Sequence, residues 1–454
     1  MASTRIFRTA GTPTSTKKFT VSFWIKKTGI GGDHFVFNAT ADANNRSQVE
    51  FNTDDEMNFI CKVSGTNIGR LRTTRKFTDP SAFYHFVAVL DTTESTSSNR
   101  MKLYVNGVQE TDFITETYPS LNADASVSGT HTIGSYYNGS SASNYLDGLL
   151  THVHFTDGYA YQASTFGSSD STSGIWKPNT APSVTYGTNG FFLKFENSGN
   201  LDLDSSSNGH TFSTTGTLTQ NVDTPSNNFA VLNSAYAGGG SSTLTNGGLT
   251  YSLSNYSYNA RSTLGFTKGK WYWEQKVNNA TSVRIGLVTS GFTNDLDTDN
   301  VNAYYGGSGG GGVYLLLSNN STSWQRTNNN TSRSVDTYTS AIATGSSSIM
   351  MGAVDADAGK LWIGVDGVWM NSGNPAGGTN NQITFSNDTG DELQVMAGFG
   401  TSSSRVSYYN FGSGYFGTTA VSSGNADGAG LGIFEYSVPS GFFSICTENI
   451  KNYG

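Results

Sequence analysis

Carboxylates placed in pairs are the first residues that could do chemistry in this chain. Sugar-cleaving β-sheet enzymes set two carboxyl groups on one face of a strand, in a Glu-x-Asp-x-Glu alternation. No such run occurs. The nearest cluster, Asp54-Asp55-Glu56, is consecutive, so its side chains point to both faces and a solvated turn is expected. No His-Glu-x-x-His motif is present. The glycine run Gly306–Gly312 lacks the Lys-Ser/Thr ending of a phosphate loop and leads into a strand-like segment, so a flexible loop is expected. No catalytic residue is assigned, and the chain is expected not to be an enzyme.

Metal and ligand chemistry has more scattered candidates. Asp295, Asp297 and Asp299 cluster in a loop-like segment, as a hard cation such as calcium requires, although the turn glycine and distal glutamate of an EF-hand are missing. Asp202 and Asp204 near Asn208-Gly209 form a weaker version. His152 and His154 share a strand face but lack a third ligand, and a core role is expected for them. No other cofactor is implied. Aromatic residues set among Gly, Ser and Asn are more suggestive, because sugar C–H faces stack on Tyr and Trp while amides meet the hydroxyls. Tyr136-Tyr137-Asn138, Tyr304-Tyr305, and Trp324 with Arg326 are the ligand candidates on that ground. Contact with a neighbouring chain, or packing within their own domain, is the competing use.

The elements that would carry these residues are strands. Helical periodicity is nearly absent, whereas short alternating runs broken by Gly, Asn, Ser and Asp recur throughout. Phe19, Val21, Phe23 and Ile25 fall on one face of a strand, and Phe83–Leu90 is apolar on both faces, as in a strand between packed layers. Leu149, Thr151, Val153 and Phe155 alternate against Leu150, His152 and His154. Asn106-Gly107 and Asp366-Gly367 are tight-hairpin signals. A second strand-rich system starts after residue 230, with Lys270–Val277, Val283–Val288, Ile349–Val354 and Lys360–Val365. The expected architecture is all-β, with two antiparallel β-sandwiches in tandem: 1–185, a connector 186–230 that contributes a strand, 231–412, and a C-terminal tail 413–454.

Composition narrows the function classes. Of 454 residues only 13% are charged, net charge is −8, and 27 Phe, 23 Tyr and 7 Trp accompany 54 Gly. Low charge with many aromatics argues against disorder. The scattered Lys and Arg do not make a nucleic-acid groove. No apolar stretch is long enough for a membrane helix, and the opening residues lack the apolar core of a signal peptide, so membrane insertion is not expected. Cys61 and Cys446 are the only cysteines, and are expected to be buried, inert and unbridged.

The first strand system resembles a laminin-G-like, concanavalin-A-like jelly roll through Phe19–Ile25, Tyr84–Val89, Leu103-Tyr-Val-Asn-Gly107 and Asp147-Gly148. The second is similar to the SPRY domain through Gly269-Lys-Trp-Tyr-Trp-Glu274, Arg284–Leu287, Asp355–Gly359 with Leu361-Trp362, and Asn410-Phe-Gly412. With Gly174-Ile-Trp-Lys-Pro178, Tyr186–Phe191, Asp223–Phe229, Pro439–Phe442 and Cys446-Thr447, the ordered set resembles surface proteins of tailed bacteriophages, marine ones especially. That resemblance implies a structural protein of the virion surface, assembled in the host cytoplasm. It would act as a tail-fibre-like adhesin that meets host-surface glycans or other virion proteins, as a homo-oligomer, which for a tail adhesin implies a trimer. Capsid decoration or a head fibre is the alternative, and a glycan depolymerase the remote one.

Overall fold

Alternation of apolar and polar residues, interrupted every few residues by Gly, Asn or Asp, builds antiparallel strands almost everywhere. The computed structural model describes residues 3–236, 242–253, 260–278, 283–290, 312–317, 323–327, 334–337, 347–385, 390–399 and 404–454. It divides into two units, one formed by Met1–Gln220 with Thr224–Ser226, the other by Asn221–Asp223 with Asn227–Gly454. The all-β architecture of two sandwiches is present; the described helices are short, the longest being Thr447–Tyr453.

In the first unit the strands are β1 (Arg5–Ala10), β2 (Lys18–Lys27), β3 (His34–Asp42), β4 (Asn45–Phe51), β5 (Glu56–Val63), β6 (Thr66–Lys76), β7 (Tyr84–Asp91), β8 (Met101–Val105) and β9 (Val108–Gln109). There follow β10 (Phe113–Thr117), β11 (Gly129–Ile133), β12 (Tyr136–Tyr137), β13 (Ala142–Ser143), β14 (Gly148–Asp157), β15 (Gly167–Ser169), β16 (Trp176–Pro178), β17 (Phe191–Leu193) and β18 (Ser213–Thr215). An eight-stranded sheet runs β10-β6-β5-β4-β3-β11-β1-β18, and a six-stranded sheet runs β17-β14-β2-β7-β8-β9. Between them lies a core of Phe19, Val21, Phe23 and Ile25 with Phe37, Val49, Phe51, Phe59 and Leu71. The stretch 186–230 supplies β17 and β18 to these sheets.

The other face of the six-stranded sheet is also covered. Val87, Val89 and Tyr104 pack under a short helix, α1 (Ala163–Phe166), and Trp176, which is why β7 is apolar on both sides. The β8–β9 turn holds Asn106 and Gly107 at φ 48° and 85°, the left-handed pair a two-residue hairpin needs. A Cβ on Gly107 would sit 2.7 Å from the Trp176 ring. The alternation expected along β14 is broken. Its register against β2 slips between Thr151 and His154, with His152 at φ 50°. This β-bulge puts Leu150, rather than Leu149, on the core side with Val153 and Phe155.

In the second unit one sheet centres on Lys270–Val277, paired with Ile349–Asp355 and Arg405–Asn410, and the other on Val283–Thr289 with Leu393–Phe399. Trp271, Trp273, Leu287, Val354, Ile363 and Phe399 share its core. The stretch 413–454, expected as a tail, is part of this unit: Phe443–Ser444 adds parallel to Lys270–Val277. Glu274 fastens it. Its buried carboxylate accepts hydrogen bonds from Tyr272 Oη (3.0 Å), Asn410 Nδ2 (3.1 Å) and the backbone N–H groups of Glu435 (3.0 Å) and Tyr436 (2.8 Å).

Candidate functional site

Polar side chains collect on the face of the eight-stranded sheet that is turned away from the core. On β4 the residues Ser47, Val49 and Phe51 face inward, so Arg46, Gln48 and Glu50 face outward. Strand pairing carries this pattern sideways. Phe7 of β1 lies opposite Thr132 of β11, Thr132 opposite Asn38, Asn38 opposite Gln48, Gln48 opposite Ile60, and Ile60 opposite Arg70. At ~4.8 Å per strand this row spans roughly 24 Å. A second row sets Phe35 opposite Glu50, Glu50 opposite Asn58 and Asn58 opposite Arg72.

Central members of this face are polar and nevertheless buried: Asn38 and Thr132 at 0%, Asn58 at 1%, Gln48 at 3% and Glu50 at 8% exposure. The β12–β13 hairpin packs beside β3. Arg46 Nε donates to Gln48 Oε1 (2.6 Å), and Gln48 Nε2 donates to Glu50 Oε2 (2.9 Å). Arg70 donates through Nε and Nη2 to Asn58 Oδ1 (3.2 and 3.0 Å), and Thr40 Oγ1 donates to Asn38 Oδ1. Asn38 Nδ2, Asn58 Nδ2 and Thr132 Oγ1 have no partner. Buried polar groups are normally satisfied, so three orphans on one face are notable.

Aromatic rings stand beside this row. Tyr136 packs on Phe35 with centroids 4.8 Å apart, and the Arg46 guanidinium lies 5.4 Å from the Tyr136 ring centroid. Arg5 sits between Phe7 (4.4 Å) and Tyr137 (5.1 Å), its Nε and Nη1 unpartnered. Such cation–π stacking holds the guanidinium without consuming its N–H groups. Asn138 is different: its Oδ1 accepts from the N–H groups of Ser140 (2.9 Å) and Ser141 (2.8 Å), so it closes its own turn.

On this face Glu50 is the carboxyl that burial raises, as it also raises Glu274 of the second unit. Burial, reinforced by nearby Asp33, pushes the Glu50 carboxyl up to about 7, against the opposing pull of Arg70 and Arg46 and the Gln48 hydrogen bond. Glu56 behaves oppositely: burial acts upward, but hydrogen bonds from Asn52 and Arg72 outweigh it and hold the group low. The Asp54-Asp55-Glu56 cluster, expected as a solvated turn, is therefore largely buried. Asp55 pairs with buried Lys27 at 2.5 Å and accepts the Gly31 N–H on both oxygens, while Arg72 Nε reaches Glu56 Oε2 at 2.5 Å. Only Asp54 faces water.

Other candidates resolve into structure. His154 is buried, stacks on Phe192 at 3.8 Å and has Nδ1 3.1 Å from Tyr186 Oη. His85 lies between Ser22 Oγ and Trp176 Nε1, both at 2.9 Å; indole N–H only donates, so His85 Nδ1 accepts and Nε2 carries the proton. Burial lowers His85 to about 3 and His131 to about 4, and drives His154 well down. Asp204 is buried and accepts backbone N–H groups from Phe192, Ser206 and His210 at 2.8–2.9 Å, while Asp202 takes the Thr214 hydroxyl. The two do not converge on a cation. Among the described residues no group of three or more His, Cys, Asp or Glu is arranged to hold a metal. Asp295, Asp297, Asp299, Tyr304 and Tyr305 lie outside the described residues. Trp324 and Arg326 fall on the strand Ser323–Thr327, in register with Leu317 and Leu315.

Residues 3–165 match the family described as the concanavalin A-like lectin/glucanases superfamily. Solved structures similar to the chain include domains LG4-5 of the mouse laminin α1 chain, at 9% identity and TM-score 0.29, over 90% of this chain and 78% of that one. The TRIM65 PSpry domain is similar at 12% identity and TM-score 0.30, over 40% of this chain and 89% of that one. The SPRY domain of human HERC1 is similar at 12% identity and TM-score 0.26, over 39% of this chain and 96% of that one. No curated protein matches the chain.

Proposed function

We propose that the protein is a non-enzymatic glycan-binding protein whose first sandwich takes a saccharide on the outward face of its eight-stranded sheet. The observation that carries this reading is the row of buried, partly unpartnered amide and hydroxyl groups flanked by Phe35, Tyr136, Phe7 and Tyr137. Amides and hydroxyls meet sugar hydroxyls, and rings meet sugar C–H faces. The match of residues 3–165 to a lectin-containing superfamily supports it. A binding role rather than cleavage is favoured because the carboxylates around Glu50 are engaged elsewhere: Glu56 is held by Arg72 and Asn52, and Asp33, whose charge acts on Glu50, accepts from Asn144 Nδ2 at 3.4 Å.

The ordered motifs that resemble tailed-phage surface proteins support a finer reading. On it the chain is displayed in many copies on a virion, as a homo-oligomer beside other virion proteins, and attaches the particle to host-surface glycans. Multiple copies raise weak single-site affinity by about a hundredfold or more. The test is a glycan array probed with full-length protein, free and coupled to beads. Bead-bound protein is expected to retain glycans that free protein releases, and Gln48→Ala or Tyr136→Ala to abolish retention while thermal unfolding stays cooperative. If the beads retain no glycan, capsid decoration replaces attachment as the function.

A further inference from the structure

The donor and acceptor balance of the same face says more about its ligand. Its amide oxygens are engaged from within: Asn38 Oδ1 by Thr40, Gln48 Oε1 by Arg46, and Asn58 Oδ1 by Arg70. What remains are mostly donors. Asn38 Nδ2, Asn58 Nδ2, and Arg5 Nε and Nη1 have no partner. Arg46 and Arg70 use their N–H groups only on neutral oxygens: Arg46 on Gln48 and the Ala43 carbonyl, Arg70 on Asn58. The guanidiniums of Arg5, Arg46 and Arg70 take part in no ion pair among the described residues, whereas neighbouring Arg72 is paired with Asp54 and Glu56.

A neutral sugar offers hydroxyls that both donate and accept, and does not by itself call for unpaired guanidiniums. A carboxylate or sulfate offers acceptors only, and guanidinium binds such oxyanions through charge-assisted hydrogen bonds. We propose that the ligand is an acidic saccharide, its anionic group seated between Arg46 and Arg70 and its ring against Tyr136. This rests on the glycan-binding reading above and names the sugar class it takes. The charged groups facing Glu50 are Arg46 from its own strand, Arg70 from β6 and Asp33 from the turn before β3. Glu50, once ionised, repels the incoming anion, so binding weakens as pH rises through neutrality.

The experiment immobilises full-length protein and measures binding of oligogalacturonate (carboxylate), dextran sulfate (sulfate), neutral dextran and inorganic polyphosphate at 0.05 and 0.15 M salt. At least one acidic saccharide is expected to bind tenfold or more tightly than dextran, and the stronger of the two identifies the anionic group. Arg46→Gln and Arg70→Gln should each lower that affinity about tenfold, and Arg70→Lys should restore part of it. Glu50→Gln should raise affinity several-fold at pH 8 and leave it unchanged at pH 5.5. Preference for neutral dextran overturns the acidic-saccharide inference and leaves the glycan reading standing. Polyphosphate binding as tight as the acidic saccharides, or indifference to both arginine variants, overturns it as unselective charge attraction. Failure to bind any saccharide overturns both.

Discussion

Replacing Glu50 by glutamine is expected to stabilise the first sandwich above pH 7 and to leave it unchanged near pH 4. The carboxyl is raised from an unfolded value of 4.5 to about 7 in the folded chain, chiefly by burial. The folded state therefore holds a proton that the unfolded state has released between those limits. Stability from this group is fully present below pH 4.5 and is lost as pH rises through 7. The rise from 4.5 to about 7 corresponds to about 3 kcal/mol, an upper figure because the site can relax and admit water. Glutamine keeps the shape and still accepts the Gln48 N–H, so the variant removes the ionisation penalty alone. For a unit of this size about 3 kcal/mol means a rise of roughly 6–12 °C in its melting transition at pH 8. Urea unfolding of wild type and variant at pH 4 and pH 8, followed by intrinsic fluorescence, measures the difference. An equal effect at both pH values, or a variant less stable at pH 8, refutes the reasoning. A gain in stability would also mean that this face is kept at a cost to the fold, as sites retained for function are.

Further expectations concern parts of the fold read with the same logic. Glu274→Ala leaves Tyr272 Oη and the N–H groups of Glu435 and Tyr436 without an acceptor, and Asn410 Nδ2 with the Ile433 carbonyl alone, and should cost about 3 kcal/mol or more, with hydrogen exchange rising across 412–436; Glu274→Gln should cost less. Asp55→Ala leaves buried Lys27 unpaired and should destabilise the first unit by about 3–5 kcal/mol in calorimetry, whereas Lys27→Met with Asp55→Leu should recover much of it. His85 and His131 fold neutral, with values lowered to about 3 and about 4, so in a Glu50→Gln background the first unit should lose stability as pH falls from 6.5 towards 4, seen as a falling melting temperature. Cys61 and Cys446 are both buried free thiols, and Cys61 is pushed up to about 12 by burial, so a thiol reagent should label neither before unfolding and reductant should leave the melting temperature unchanged.

Strand patterning was largely legible. The one-sided run Phe19 to Ile25 is the core face of β2, and the Asn-Gly and Asp-Gly pairs mark hairpins whose φ angles only such residues adopt readily. The slip in β14 was not, because a bulge at His152 shows in backbone angles and leaves the alternation of residue types intact. Asp55 and Glu56 looked like a turn because consecutive charges usually face water; their partners are Lys27 on β2 and Arg72 on the following strand β6, 28 and 16 residues away, which no local pattern announces. The polar face had a signal too: Arg46, Gln48 and Glu50 at alternate positions, then Asn58 and Lys62, then Arg70 and Arg72. It reads as an ordinary solvent-facing pattern until the strand order β6-β5-β4-β3-β11-β1 sets those residues side by side. Tyr136 and Tyr137 were found from composition, while Phe35 and Arg5, which pack on them, carry no local mark.

Hydrogen–deuterium exchange of the full chain with and without a retained glycan tests the central claim most directly. Protection is expected in Asn45–Phe51, Glu56–Val63, Thr66–Lys76 and the 135–143 hairpin, with the second sandwich unchanged. Protection confined to the second sandwich, or to the six-stranded sheet of the first, would contradict the assignment of this face as the binding site.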